Sequence, residues 1–219
     1  MLKRILDIAL SGLLLILTFP LVAIAIMIIK MESGDPAVFC QLRTGRGFKA
    51  FRLFKLRTMR CCCAGPAYTL GADPRITRSG RWLRRFKIDE LPQLWNVLRG
   101  DMSMVGPRPV IPELTREFHE SYERLLTVRP GLTDPATLKY CREAEILALV
   151  PDPLRHFKTV VTPDKLRISD AYLENASVWS DLAVLLDTAM ALLPSWMTQA
   201  GIEARERGMR PRRVKMARG

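Results

Sequence analysis

The amino-acid sequence predicts an α/β, mostly helical domain that meets a membrane through an apolar N-terminal helix. Three observations predict it. Ile8–Ile29 carries no charged residue, Ala37–Met59 interleaves aromatic and basic side chains around Gly45 and Gly47, and a helix-rich region follows from Gly80.

The run Ile8–Ile29 is long enough to cross a bilayer as a helix, at ~1.5 Å per residue. It is longer than a signal-peptide core, and no small-x-small cleavage site follows it, so it is expected to stay attached. Both flanks are basic: Lys3 and Arg4 precede it, and Lys30, Arg43, Arg46, Lys49, Arg52, Lys55, Arg57 and Arg60 follow. The positive-inside rule would hold both flanks in the cytoplasm, which a straight spanning helix cannot do. Pro20 sits mid-run, two residues after Thr18, and proline removes a backbone hydrogen bond and crowds the preceding turn. A helix broken at Pro20 and returning to the same side satisfies both flanks. An ordinary spanning helix with a tolerated proline also fits, and charge alone leaves both readings open.

The stretch Ala37–Met59 reads as a glycine-turned hairpin, or a strand-turn-strand leading into a helix. Its basic and aromatic residues could serve single-stranded nucleic acid. Beside a membrane segment, such charges more often sit on anionic headgroups, each worth ~1 kcal/mol near the surface. Anionic inner-leaflet lipids are therefore the expected partner, and nucleic acid is not. Residues 60–75, with Gly65, Pro66, Gly71 and Pro74, read as a loop. Helical pattern runs from Gly80 to about Arg99; Pro107, Pro109 and Pro112 then break the chain before a helix at Glu113–Leu126. Val178–Met197 is apolar at helical spacing, with Trp179 and Trp196 suited to a membrane interface or a core. The arginine-rich tail, 201–219, lacks an apolar pattern and is expected to be disordered.

A length of 219 residues suits one compact domain plus an appendage. Thirty-four Lys and Arg against 22 Asp and Glu give a net charge of +12, which calls for an anionic partner. The five cysteines, three of them at Cys61, Cys62 and Cys63, have no C-x-x-C spacing, and the 2 histidines lie in unrelated contexts. That argues against a zinc site and a secreted disulfide framework, and for free thiols in a reducing compartment.

The densest set of reactive side chains runs from Arg84 to Arg108 and includes Lys87, Asp89, Glu90, Asn96 and Asp101. Asp89 and Glu90 are adjacent, so on a helix their side chains diverge by about 100°. Adjacent carboxylates are poorly placed to flank a glycosidic bond from opposite sides. They suit divided labour, one as nucleophile and the other as metal ligand. Pro92 fits a dyad near the first turns of a helix, where the helix dipole and nearby arginines favour an ionised Asp and a bound phosphate. A lone Asp-Glu pair is more often a solvated surface feature.

The string KIDELPQLWNVLRGDMSMVGPRP, Lys87–Pro109, resembles the bacterial sugar transferase family, the monotopic phosphoglycosyl transferases. KRILD at Lys3–Asp7 resembles the family's membrane entry, with Pro20 at its helix-breaking position. FKLRTM at Phe54–Met59, VRPGLT at Val128–Thr133 and the late pattern Tyr172, Asn175, Ser177, Asp181 and Leu182 extend the likeness to about residue 195. The resemblance implies a re-entrant membrane helix over 1–30 and a cytoplasmic catalytic domain over 31–200, on the bacterial inner membrane. It implies transfer of a sugar phosphate from a UDP-sugar to polyprenyl phosphate, with Asp89 as nucleophile and Glu90 holding Mg²⁺. Arg108, between two prolines, would present a bidentate fork to phosphate oxygens. Arg84, Arg57 and Arg129 are further candidates for phosphate or nucleotide contacts, with a structural ion pair the alternative for each. An oligomer is compatible with all of this.

Two departures from the family pattern stand out. Lys87 occupies a position where Ser or Thr is common, and it cannot cap a helix. After Thr133 the usual glycine- and tryptophan-containing continuation is replaced by Asp134–Leu138, in a region expected near the donor. A rival of a different class is a non-catalytic basic membrane anchor or scaffold, which predicts no metal dependence and no UMP release.

Overall fold

A computed structural model describes residues 1–61 and 73–192. Cys62, Cys63, most of the expected loop, the end of the Val178–Met197 segment and the tail lie outside the described residues.

Helix α1 runs from Leu2 to Ser33 with Pro20 inside it, and Gly34 closes it in the left-handed region, φ 70°, its amide donating to the Lys30 carbonyl. Near the proline, the Thr18 hydroxyl donates to the Leu14 carbonyl at 2.7 Å. Ile16, Leu17 and Phe19 there are strongly exposed. Both ends of α1 are fastened to one body. Near the start, Arg4 donates to the Val97 and Leu98 carbonyls at 2.6 and 2.8 Å, while Lys3 donates to the Val105 carbonyl and pairs with Asp181. Asp7 is buried and accepts from the Ser103 hydroxyl and the Met104 amide. Near the end, Ala25 and Ile29 pack on Ala37, Leu56 and Leu83.

Strands β1, Val38–Thr44, and β2, Ala50–Leu56, form the expected antiparallel hairpin, with Val38 opposite Leu56 and Thr44 opposite Ala50. A 3₁₀ turn at Arg46–Phe48 joins them, and Gly47 takes φ 63° there. Helix α2, Arg78–Arg85, starts at Thr77, whose hydroxyl accepts the Gly80 amide; the Glu32 carboxylate of α1 accepts the Arg78 and Ser79 amides. A 3₁₀ turn at Ile88–Glu90 and helix α3, Gln93–Arg99, follow.

Strand β3, Ser103–Val105, lies parallel to β4, Gly131–Thr133. The glycine of VRPGLT is required here: a Cβ on Gly131 would stand 2.1 Å from the Gly106 nitrogen. The expected helix at Glu113–Leu126 is two helices, α4 at Pro112–Glu117 and α5 at His119–Leu125. Phe118 leaves helical geometry between them, φ −116°, and packs against Tyr122, Leu125, Leu126 and Leu166. After β4 come α6 at Pro135–Lys139, α7 at Glu143–Ala148, α8 at Pro153–His156 and α9 at Thr162–Glu174. A π-helical turn, Phe157–Val161, leads into α9. Helix α10, Val178–Leu192, buries Val184 against the main core and leaves Trp179, Leu182, Leu186 and Met190 exposed. That core gathers Leu53 of β2, Leu94 and Val97 of α3, Met102, Met104 and Val105, and Leu10, Leu14 and Leu15 of α1 pack onto it.

Candidate active site

The site is built where α2, the hairpin and α3 meet. Lys87 closes α2 in a left-handed conformation, φ 55° and ψ 20°, uncommon for a residue with a Cβ. Such strain costs of order 1–3 kcal/mol and persists where surrounding structure enforces it. It reverses the chain, so Asp89 and Glu90 enter the body in the 3₁₀ turn just before α3 rather than in a helix's first turn. Asn96, fully buried, ties α3 to β2. Its Nδ2 donates to the Arg52 carbonyl at 2.7 Å and to Asp101 at 3.1 Å, and its Oδ1 accepts the Phe54 amide at 3.1 Å.

Asp89 is 7% exposed, and its Oδ1 is buried with no hydrogen-bond partner. Burial, then the negative charge of Glu90, push its pKa up to about 6, partly offset by Lys55, Lys87 and Arg84. Glu90 behaves differently. Burial opposes its ionisation, but the Arg108 guanidinium, with Lys87 and Lys55, outweighs that and holds its pKa below the usual carboxylate range. Arg108 Nη2 donates to Glu90 Oε1, and Nη1 donates to the Leu132 carbonyl at 3.4 Å. The charge of Glu90 keeps that guanidinium more firmly protonated than usual despite its burial. Two adjacent carboxylates are thereby split, one paired and ionised, the other unpaired and more basic.

Of the sequence candidates, Arg84 and Arg108 lie close enough to shift the dyad's charge. Arg84 also donates to the Thr58 hydroxyl at 2.8 Å. Arg57 instead donates to the Pro36 carbonyl at 2.6 Å and lies over the Phe39 ring, 5.4 Å from its centre. Arg129 makes no side-chain hydrogen bond or ion pair among the described residues, and its carbonyl borders Gly106. Lys55 stands in the sequence as one charge of a basic flank, yet it acts on both carboxylates. Burial, then Arg43, lower its pKa to about 8. It stands inside FKLRTM, but only the strand's packing tells which basic residue of that string turns inward.

For a divalent cation, the dyad offers the Glu90 oxygen not held by Arg108. No group of three or more His, Cys, Asp or Glu among the described residues could enclose a metal. Magnesium fits such a site, because it binds through one or two carboxylates and completes its shell with substrate phosphates and water.

The family model for the bacterial sugar transferases matches residues 1–195. The UDP-glucose:undecaprenyl-phosphate glucose-1-phosphate transferase of Caulobacter vibrioides is 40% identical over 87% of this chain and 69% of its own. The undecaprenyl-phosphate glucose phosphotransferase of Komagataeibacter xylinus is 43% identical over 64% of this chain and 28% of its own. A UDP-N-acetylgalactosamine-undecaprenyl-phosphate N-acetylgalactosaminephosphotransferase of Aeromonas hydrophila is 33% identical over 87% of this chain and 43% of its own. The chain thus spans less than half the length of two of these three relatives. With the match running from the first residue of α1 through the dyad and Arg108 into α10, the chain belongs to the bacterial sugar transferase family and is a transferase enzyme of that family.

Proposed function

We propose that the protein transfers a sugar phosphate from a UDP-sugar to polyprenyl phosphate, an initiating membrane step of glycan or exopolysaccharide assembly. The observation that carries the reading is Asp89 Oδ1, a buried carboxylate oxygen without a partner, set among Lys55, Lys87, Arg84 and Arg108. Ionised Asp89 attacks the sugar-bearing phosphorus of the donor. A bond forms from Oδ1 to phosphorus, the bond from that phosphorus to the UMP oxygen breaks, and UMP departs. The phosphate oxygen of the polyprenyl acceptor then attacks the same phosphorus. The aspartyl bond breaks, the carboxylate returns, and polyprenyl diphosphate-sugar leaves, a ping-pong sequence.

Arg108 keeps Glu90 ionised and has a planar fork for phosphate oxygens as charge develops. Lys55 and Arg84 add positive charge that favours the ionised nucleophile. Glu90 is the residue we assign to Mg²⁺, whose charge would neutralise the donor diphosphate when bound.

Helix α1 would re-enter, with the catalytic region on the cytoplasmic face of the inner membrane among anionic lipids. What supports this is that Lys3, Arg4 and Asp7 at one end and Ala25, Ile29 and Glu32 at the other all bind one body, while Ile16, Leu17 and Phe19 near Pro20 stay exposed. The topological test is an introduced N-terminal thiol probed with an impermeant reagent in intact cells. The native helix should remain unlabelled and the Thr18→Leu/Pro20→Leu variant should become labelled. Labelling of the native N-terminus refutes re-entry.

The functional test offers purified protein undecaprenyl phosphate, Mg²⁺ and a panel of UDP-sugars, and records UMP release. Mass spectrometry should find a sugar-phosphate adduct on the peptide carrying Asp89. Glu90→Gln should weaken the apparent Mg²⁺ affinity together with the rate. A wild-type protein that releases no UMP from any donor overturns the reading.

A further inference from the structure

Arg108 has a second neighbourhood besides the dyad. It lines a cavity of about 170 Å³ enclosed by the loop after β3, α6, the π-helical turn and α9. By volume this holds about six waters, and whole-ligand sites begin at roughly 300 Å³, so it suits one ring of a larger substrate.

Several polar groups that line this cavity already have partners. Asp134 accepts the Thr137 amide through Oδ1 and the Ser169 hydroxyl through Oδ2, both at 2.7 Å. Lys165 pairs with Glu143 at 2.6 Å. Those groups are committed to each other. The hydroxyls of Thr137 and Thr162 are not: both are buried, both have no hydrogen-bond partner, and both residues line this one cavity. Thr162 is 3% exposed. A buried hydroxyl without a partner is costly, and its presence calls for a ligand or an ordered water.

The local backbone sharpens the observation. The turn Phe157–Val161 is π-helical, a rare geometry that recurs at functional sites, and it hands the chain to Thr162 at the start of α9. Thr137 lies in α6, the helix whose start Asp134 caps by accepting the Thr137 amide. Each hydroxyl both donates and accepts, which matches the hydroxyl and acylamino groups of a sugar. A nucleobase would demand fixed donors and acceptors.

We propose that this cavity is the subsite for the sugar of the donor, and that Thr137 and Thr162 are specificity-determining residues that bind its ring substituents. This rests on the function proposed above. Arg108 would then sit between the donor phosphate at the dyad and the sugar behind it, one guanidinium bordering both.

The test uses the full chain with polyprenyl phosphate and Mg²⁺, and measures kcat/KM for the best UDP-sugar and for its deoxy analogues lacking one ring hydroxyl at a time. The same set is run on Thr137→Val and Thr162→Val. In the wild type, loss of the hydroxyl that meets a threonine should lower kcat/KM roughly three- to tenfold. In the matching valine variant that penalty should vanish, because the partner is already gone, while inhibition by UMP stays unchanged. Serine variants should keep the wild-type penalty. Should a valine variant not fold, alanine removes the same hydroxyl without bulk and takes its place in the cycle. If the wild type turns over but every analogue loses the same factor in variants and wild type, the subsite is wrong and the function stands. If the wild type releases no UMP, both fall.

Discussion

Asp7 and Asp89 are almost equally hidden, 5% and 7% exposed, yet the molecule treats them in opposite ways. Asp7 accepts the Ser103 hydroxyl at 3.0 and 2.9 Å and the Met104 amide at 2.9 Å, so fixed donors replace the water it lost. It rivets α1 to β3. Asp89 keeps a buried oxygen with no donor at all, beside a second carboxylate and a ring of cations. Burial does not distinguish the two. Satisfaction does, because a carboxylate with its lone pairs filled is inert and one left unfilled can attack or bind.

The strongest way to break this contrast is substitution of each aspartate. Asp89→Asn should lower UMP release on the order of 10³-fold or more, as removal of a nucleophile does, and abolish the phosphosugar adduct. Asp7→Asn should leave turnover per folded molecule nearly unchanged. Robust activity in Asp89→Asn would remove the covalent mechanism.

Arg108→Lys keeps the charge and loses the fork. A drop of about 10²-fold in kcat is expected if two directed donors matter at the phosphate. Near-normal kinetics would reduce Arg108 to a diffuse field.

A pH profile probes the unfilled carboxylate directly. Asp89 must be ionised to attack, and its pKa is pushed up to about 6. At a fixed Mg²⁺ concentration, kcat/KM should fall about tenfold per pH unit below that value and level off above it. A profile flat down to pH 4.5 would mean that the nucleophile is not the group in this pocket.

Stability should separate the two aspartates with the smallest effects. Asp7→Ala strands the Ser103 hydroxyl and the Met104 amide and should cost about 1–3 kcal/mol in denaturant unfolding. Asp89→Asn should go the other way. Because the fold raises the pKa of Asp89, the stability linked to its protonated form is complete below the usual carboxylate pKa and lost as pH rises through about 6. Removing the charge should therefore be neutral or slightly stabilising at pH 7.5, with the difference gone by pH 3.5. A large loss of Tm in Asp89→Asn would make it a structural residue like Asp7.

Much of the molecule was legible beforehand. The apolar run became α1, the glycine-centred stretch became the β1–β2 hairpin, and the dyad and Arg108 came together across 18 residues of chain. Other residues carried no such signal. Lys3 and Arg4, counted as charges that orient a membrane helix, are used to bind the Val97, Leu98 and Val105 carbonyls and Asp181. The helix expected over Glu113–Leu126 is interrupted because Phe118 turns onto a cluster supplied partly by Leu166, far along the chain.

The sequence by itself determined the elements and the chemistry on offer, since hydrophobic period, glycine and proline placement and side-chain type are local properties. Only the tertiary structure decided which members of each set act. Three basic residues, Lys55, Arg57 and Arg84, are indistinguishable in the sequence as charges. Asn96 pins β2 to α3 so that Lys55 reaches the dyad, while Arg57 turns to Pro36 and Phe39. The same holds for the carboxylates and the threonines. Whether Asp7, Asp89, Thr137 or Thr162 finds a partner depends on groups brought from distant parts of the chain, and an unfilled hydrogen bond becomes visible only when the surrounding structure is complete.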